Sequence, residues 1–105
     1  MTNTSEFLNT IKQTVLAKEP TATIYLYGSR ARGTARPDSD WDLLILVDKE
    51  TISYKYEDEL TDPLYDIEFE TGNMISPHVY SKNEWFSRYS ITPYFKNVMR
   101  DCKAL

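Results

Sequence analysis

The chain of 105 residues contains one cysteine, one histidine and three glycines. The lone thiol, Cys102, excludes an internal disulfide. Long apolar runs are missing too: the longest candidate, Leu43 to Val47, has strand length and falls far short of the roughly 20 residues that cross a bilayer. No charged-then-apolar leader opens the sequence, so a cytoplasmic location and no membrane association are expected. There is no basic excess either. The formal net charge is -4 at pH 7, which argues against direct nucleic-acid binding, because such domains usually carry a broad positive face. Repeats, linkers and low-complexity tracts are absent.

What is present describes an ordinary soluble globular domain: 41% hydrophobic, 27% charged and 13% aromatic residues, with eight tyrosines. One domain over residues 1–105 is expected, with room for one core and one site, so much of any bulky acceptor would lie outside it. Charge is local. Three of the five arginines, Arg30, Arg32 and Arg36, fall close together, whereas carboxylates dominate from Glu57 to Glu70.

Hydrophobic spacing then sketches an α+β domain. Phe7, Leu8, Ile11, Val15 and Leu16 predict an amphipathic helix over Glu6 to Lys18, with Thr4 or Ser5 as N-cap and Pro20 beyond its end. Ala22 to Tyr27 reads as a strand stopped by Gly28, and Ser29 to Ser39 as a loop that opens with a short helical turn. The run Trp41 to Val47 is the pattern of a central strand buried on both faces. Ile52, Tyr56 and Leu60 share a helical stripe within Lys49 to Leu60. After Pro63, Tyr65, Ile67 and Phe69 alternate with Asp66, Glu68 and Glu70, which predicts a strand with one carboxylate face. Met74 to Tyr80 predicts another, confined to an edge or a bulge by Pro77. The remainder, from Lys82, reads as two helical pieces broken near Pro93.

The chemistry-bearing residues lie between the first two strands. Gly28 lets backbone N–H groups approach a phosphate without an intervening Cβ, and Ser29 at the start of a turn adds a hydroxyl donor; Gly33 gives a second point of close approach. Asp40 and Asp42 stand two apart at the mouth of a strand, so their carboxylates share a face and can share cations. Magnesium takes one or two carboxylates plus phosphate oxygens, and an acid pair beside a phosphate cradle suits metal-assisted phosphoryl chemistry. Asp42 also interrupts an apolar run, where an unpartnered carboxylate is costly. A cation, an arginine from the preceding loop or a hydrogen-bond donor must compensate. Arg30, Arg32 and Arg36 can clamp phosphate oxygens through their planar guanidinium groups. His78 has no second histidine or cysteine at ligand spacing and reads as a surface or packing residue, as does Cys102.

The string YGSRARGTARPDSDWDLLILVD (Tyr27 to Asp48) resembles the signature of the polymerase-beta-like nucleotidyltransferase superfamily, in particular its minimal prokaryotic members. The resemblance implies a small α+β nucleotidyltransferase fold, a mixed sheet of about four strands with helices mainly on one face. It implies that Gly28, Ser29, Arg30 and Gly33 bind a nucleoside triphosphate, that Asp40 and Asp42 hold two Mg2+ ions, and that a third carboxylate on a neighbouring strand completes the site. Asp66 is favoured for that place and Glu68 comes second. The implied reaction transfers a nucleoside monophosphate, AMP from ATP, to a hydroxyl of a protein or small molecule. The implied partner is a HEPN-domain toxin or another helical protein, with the chain as antitoxin. A non-catalytic module that acts as antitoxin by complex formation is the alternative.

Overall fold

The computed structural model describes residues 4–105. Helix α1 (Thr4–Lys18) buries Phe7, Ile11 and Val15, one stripe at a spacing of four. Thr4 and Ser5 both lie within the helix rather than capping it, so the cap position falls outside the described residues. Strand β1 (Thr23–Tyr27) leads into a single helical turn, α2 (Ser29–Arg32), and β2 (Trp41–Val47) follows the loop. β1 and β2 are antiparallel, and the register pairs Tyr27 with Asp42.

The expectation for residues 49–70 needs correction. A helix ending near Leu60 and a strand at 65–70 are replaced by one helix, α3 (Tyr54–Thr71), capped by the Ser53 hydroxyl and running through Pro63. A proline inside a helix costs about 3 kcal/mol. Its neighbours Leu60 and Leu64 are 1% and 0% exposed, and burying each returns about 1.5–3 kcal/mol, so packing outweighs the break. The alternation at 65–70 misled because six residues are too few to separate period two from a helical stripe. The stripe is Leu60, Leu64 and half-buried Ile67, while Tyr65 and Phe69 face solvent at 46% and 91% exposure.

Strand β3 (Ile75–Ser81) returns parallel to β2, pairing Asp42 with Ser76 and Leu44 with His78. A short β4 (Lys103–Ala104) adds antiparallel to β1, giving the mixed sheet order β3-β2-β1-β4. Pro77 therefore sits on an edge strand, as expected, where its missing N–H is tolerated. Glu68 blunts that strand further: its carboxylate accepts the Ile75 N–H at 2.8 Å.

The long helices α1 and α3 cover one face of the sheet, where Trp41, Leu43, Ile45 and Val47 join Phe7, Ile11, Leu60 and Leu64 in one core. Opposite them, the shorter α4 (Lys82–Phe86) and α5 (Pro93–Asp101) cover part of the second face through Trp85 and Val98 against Leu44 and Leu46. The chain breaks before Pro93 because Thr92 caps α5, accepting the Phe95 N–H, and proline occupies the first turn. Asp42 belongs to this second face, in step with Leu44 and Leu46. It lies past the cover that α4 and α5 provide.

Candidate active site

β1 ends in a backbone that only glycine adopts readily: Gly28 has φ 75° and ψ -158°. A Cβ built there collides with the Asp42 carboxylate. The chain thus turns directly against that acid and enters α2, closed by Ala31 and Arg32 N–H groups donating to the Gly28 carbonyl at 3.1 Å. The opening N–H groups of such a turn have no acceptor within it and are free for an anion. Gly33 ends α2 in the left-handed region with φ 79°, and nothing lies within 4 Å of a Cβ placed on it. Its role here is conformational rather than one of close approach.

The three loop arginines divide. Arg30 folds back on its own loop, donating to the carbonyls of Ser39 at 2.9 Å and Pro37 at 3.3 Å, with its guanidinium 4.3 Å from the centre of the Trp41 ring. It organises the loop instead of pointing out as the expected phosphate clamp. Arg32 pairs with Asp101 of α5 at 3.3 Å and lies near enough to Asp42 to favour its ionised form. Arg36 is exposed, and its backbone N–H donates to Ser39 Oγ at 2.8 Å.

Asp40 and Asp42 stand side by side at the end of β2. Burial, and then the Asp40 charge, push the Asp42 carboxyl above the ordinary aspartate range, with His78 and Arg32 opposing. Among the described residues no lysine or arginine forms an ion pair with either acid, and no protein donor meets Asp42. Among the described residues Asp40 has one hydrogen-bond partner, Ser76, whose hydroxyl donates to Oδ2 at 3.1 Å. Two adjacent carboxylates, one half-buried and short of counter-charge, fit a hard divalent cation bound with phosphate oxygens.

Asp66 does not join them. It lies exposed on α3, and among the described residues no group of three or more His, Cys, Asp or Glu side chains is placed to hold a metal. The reason is the helix: the strand that would have carried Asp66 to the side of β2 does not exist, and β3 takes that place. Glu68 is occupied with the Ile75 N–H.

Several site residues escaped sequence reasoning. Ser76 and His78 share the face of Asp42 through the parallel register, which no local pattern reveals. His78, read as a surface or packing residue, is exposed, and its ring stands 6.2 Å and 6.4 Å from the rings of Tyr27 and Tyr94. Those two phenols meet at 3.0 Å, and burial is the main force raising the pKa of each. Beside them a cavity of about 250 Å³ is lined by Tyr27, Gly28, Arg32, Tyr94, Asn97 and Arg100. A second hollow of about 290 Å³ runs between α3 and β3 past Glu57, Asp58, Tyr65 and His78.

A family profile described as "Nucleotidyltransferase domain" matches residues 8–97. The chain belongs to this nucleotidyltransferase family. A solved structure described as "Crystal structure of the toxin-antitoxin with AMP-PNP" is similar to the domain with a TM-score of 0.65 and 21% identity, covering 91% of this chain and 69% of that one. At that identity the likeness establishes the fold of the nucleotidyltransferase domain. A search of curated proteins returned no match. Nucleotidyltransferases of this family typically use Mg2+, and the Asp40 and Asp42 pair offers hard oxygen ligands of the kind that such an ion takes. No described helix of the domain is long and apolar enough to cross a membrane.

Proposed function

We propose that the domain binds a nucleoside triphosphate at the Gly28 turn and transfers its monophosphate, AMP from ATP, to a hydroxyl of a protein partner. The observation that carries this reading is the close approach of Gly28 to the Asp42 carboxylate, which supports a shared role for the glycine turn and the acid pair. In this reading the α2 N–H groups and Ser29 hold the terminal phosphates, while Asp40 and Asp42 hold Mg2+. Bound Mg2+ supplies charge neutralisation at the phosphates. The 250 Å³ cavity beside Tyr27 and Tyr94 receives the sugar and base. The acceptor hydroxyl attacks the α-phosphorus in line and loses its proton to water, its O–P bond forming as the bond from the α-phosphorus to the bridging oxygen breaks and pyrophosphate leaves, with positioning as the main contribution of the chain. AMP-PNP in the similar solved structure supports adenine.

A toxin of the HEPN type is the proposed partner and acceptor. The toxin-antitoxin description of that similar structure supports it, as do exposed Tyr54, Tyr65 and Phe69 on α3, at 88%, 46% and 91%, a row of apolar groups suited to a protein surface. The second reading, a module that neutralises its partner by complex formation without transfer, is favoured by one observation: no third carboxylate gathers at Asp40 and Asp42 among the described residues. Incubation with Mg2+ and each α-labelled nucleoside triphosphate, with and without the partner, separates the two. Label on the partner with wild type and none with Asp42→Asn supports transfer. A complex that forms without label supports the second reading, and nucleotide binding equal in wild type and Asp42→Asn refutes the site.

A further inference from the structure

Two divalent ions held about 4 Å apart need carboxylates from more than one direction, because each ion must find anionic ligands besides those it shares. One ion that arrives with a triphosphate needs only one or two. The geometry of this chain decides between these cases. Asp42 in β2 and Asp40 immediately before it approach from one side alone. The neighbouring strand that faces them is β3, in parallel register, and the residue opposite Asp42 is Ser76. Ser76 donates its hydroxyl to Asp40 Oδ2 at 3.1 Å, so the position is within reach of the acid pair yet carries no charge. The next residues of β3 on that face are His78 and Tyr80, and imidazole and phenol are poor ligands for a hard cation. On the other strand beside β2, the residue opposite Asp42 is Tyr27. Asp66 and Glu68 stand on α3, the first exposed and the second bound to the Ile75 N–H.

We infer that the site holds a single divalent cation with the nucleotide, and that Ser76 is the position that sets this number. The inference rests on the nucleotide site proposed above. Its consequence is that no second ion activates the acceptor hydroxyl, so orientation by the partner carries more of the reaction than in a two-ion site.

Mn2+ reports the count without turnover. The full chain is titrated with Mn2+ in the presence of each α,β-methylene nucleoside triphosphate, whose α-phosphate cannot be transferred, and free and bound metal are measured by electron paramagnetic resonance. Wild type and Ser76→Asn should bind one Mn2+ per chain with no spin coupling. Ser76→Asp should bind two, and without metal it should melt below wild type from carboxylate repulsion that Mn2+ relieves. Ser76→Glu offers the same carboxylate with a longer reach if Ser76→Asp does not fold. Two coupled ions in wild type would overturn the inference while leaving the nucleotide site standing. A folded carboxylate variant that still binds one would overturn the role of Ser76. No bound ion with any of the nucleotides would overturn the site itself.

Discussion

Replacing Gly28 with alanine isolates the contact on which the site depends. Two costs are superimposed. The backbone at φ 75° and ψ -158° is nearly closed to residues with a Cβ, a strain of about 1–3 kcal/mol. The new methyl also collides with the Asp42 carboxylate, which must swing away or push β1 from β2. Gly33 provides the internal control, since its φ of 79° carries a conformational cost but nothing lies within 4 Å of the added atom. Gly33→Ala should therefore cost about 1 kcal/mol, and Gly28→Ala about 2–4 kcal/mol from strain and clash together. For a domain of this size each kcal/mol lowers Tm by about 4–8 °C, so the two variants should separate clearly in thermal unfolding followed by circular dichroism. The clash also predicts coupling. Asp42→Ala removes the atoms that the methyl meets, so the double variant Gly28→Ala, Asp42→Ala should be more stable than the sum of the single changes implies, by about 1 kcal/mol or more. Strict additivity, or a Gly28→Ala variant no worse than Gly33→Ala, would refute the reading that Gly28 is required by its approach to Asp42.

The pH dependence of stability carries the sign of the Asp42 environment. Burial and Asp40 raise its folded pKa above 3.8, so the folded chain holds this proton more tightly than the unfolded one. Its contribution is full below the unfolded value and is lost as pH rises through the folded one. In metal-free buffer Asp42→Asn should gain stability relative to wild type over that rise in pH, and saturating Mg2+ with nucleotide should shrink the gap; a gap that widens on acidification contradicts the assignment. The acids of α3 should behave differently from one another. Asp66→Asn should leave melting temperature and nucleotide affinity unchanged, because the side chain is exposed. Glu68→Ala should cost about 1–3 kcal/mol in urea unfolding through loss of the carboxylate that accepts the Ile75 N–H, and loss of Mn2+ binding in Asp66→Asn would restore it as a ligand.

Much of this molecule was legible from local pattern. The strand Trp41–Val47, the turn at Gly28, the pair Asp40 and Asp42 and the break before Pro93 all rest on neighbours within a few residues. Spacing and turn chemistry therefore sufficed to place them. The residues that tertiary structure decided share a different physical character. Whether 65–70 forms strand or helix depended on burial of Leu60 and Leu64 against α1 and the sheet, a free energy that six alternating residues do not contain. The partner of Asp42 across the parallel ladder depended on the register of β3, which follows a crossover and obeys no hairpin rule. So the sequence by itself determined that a glycine turn after one strand is followed by an acid pair at the mouth of the next. Only the assembled sheet decided that serine, rather than a third carboxylate, stands opposite them.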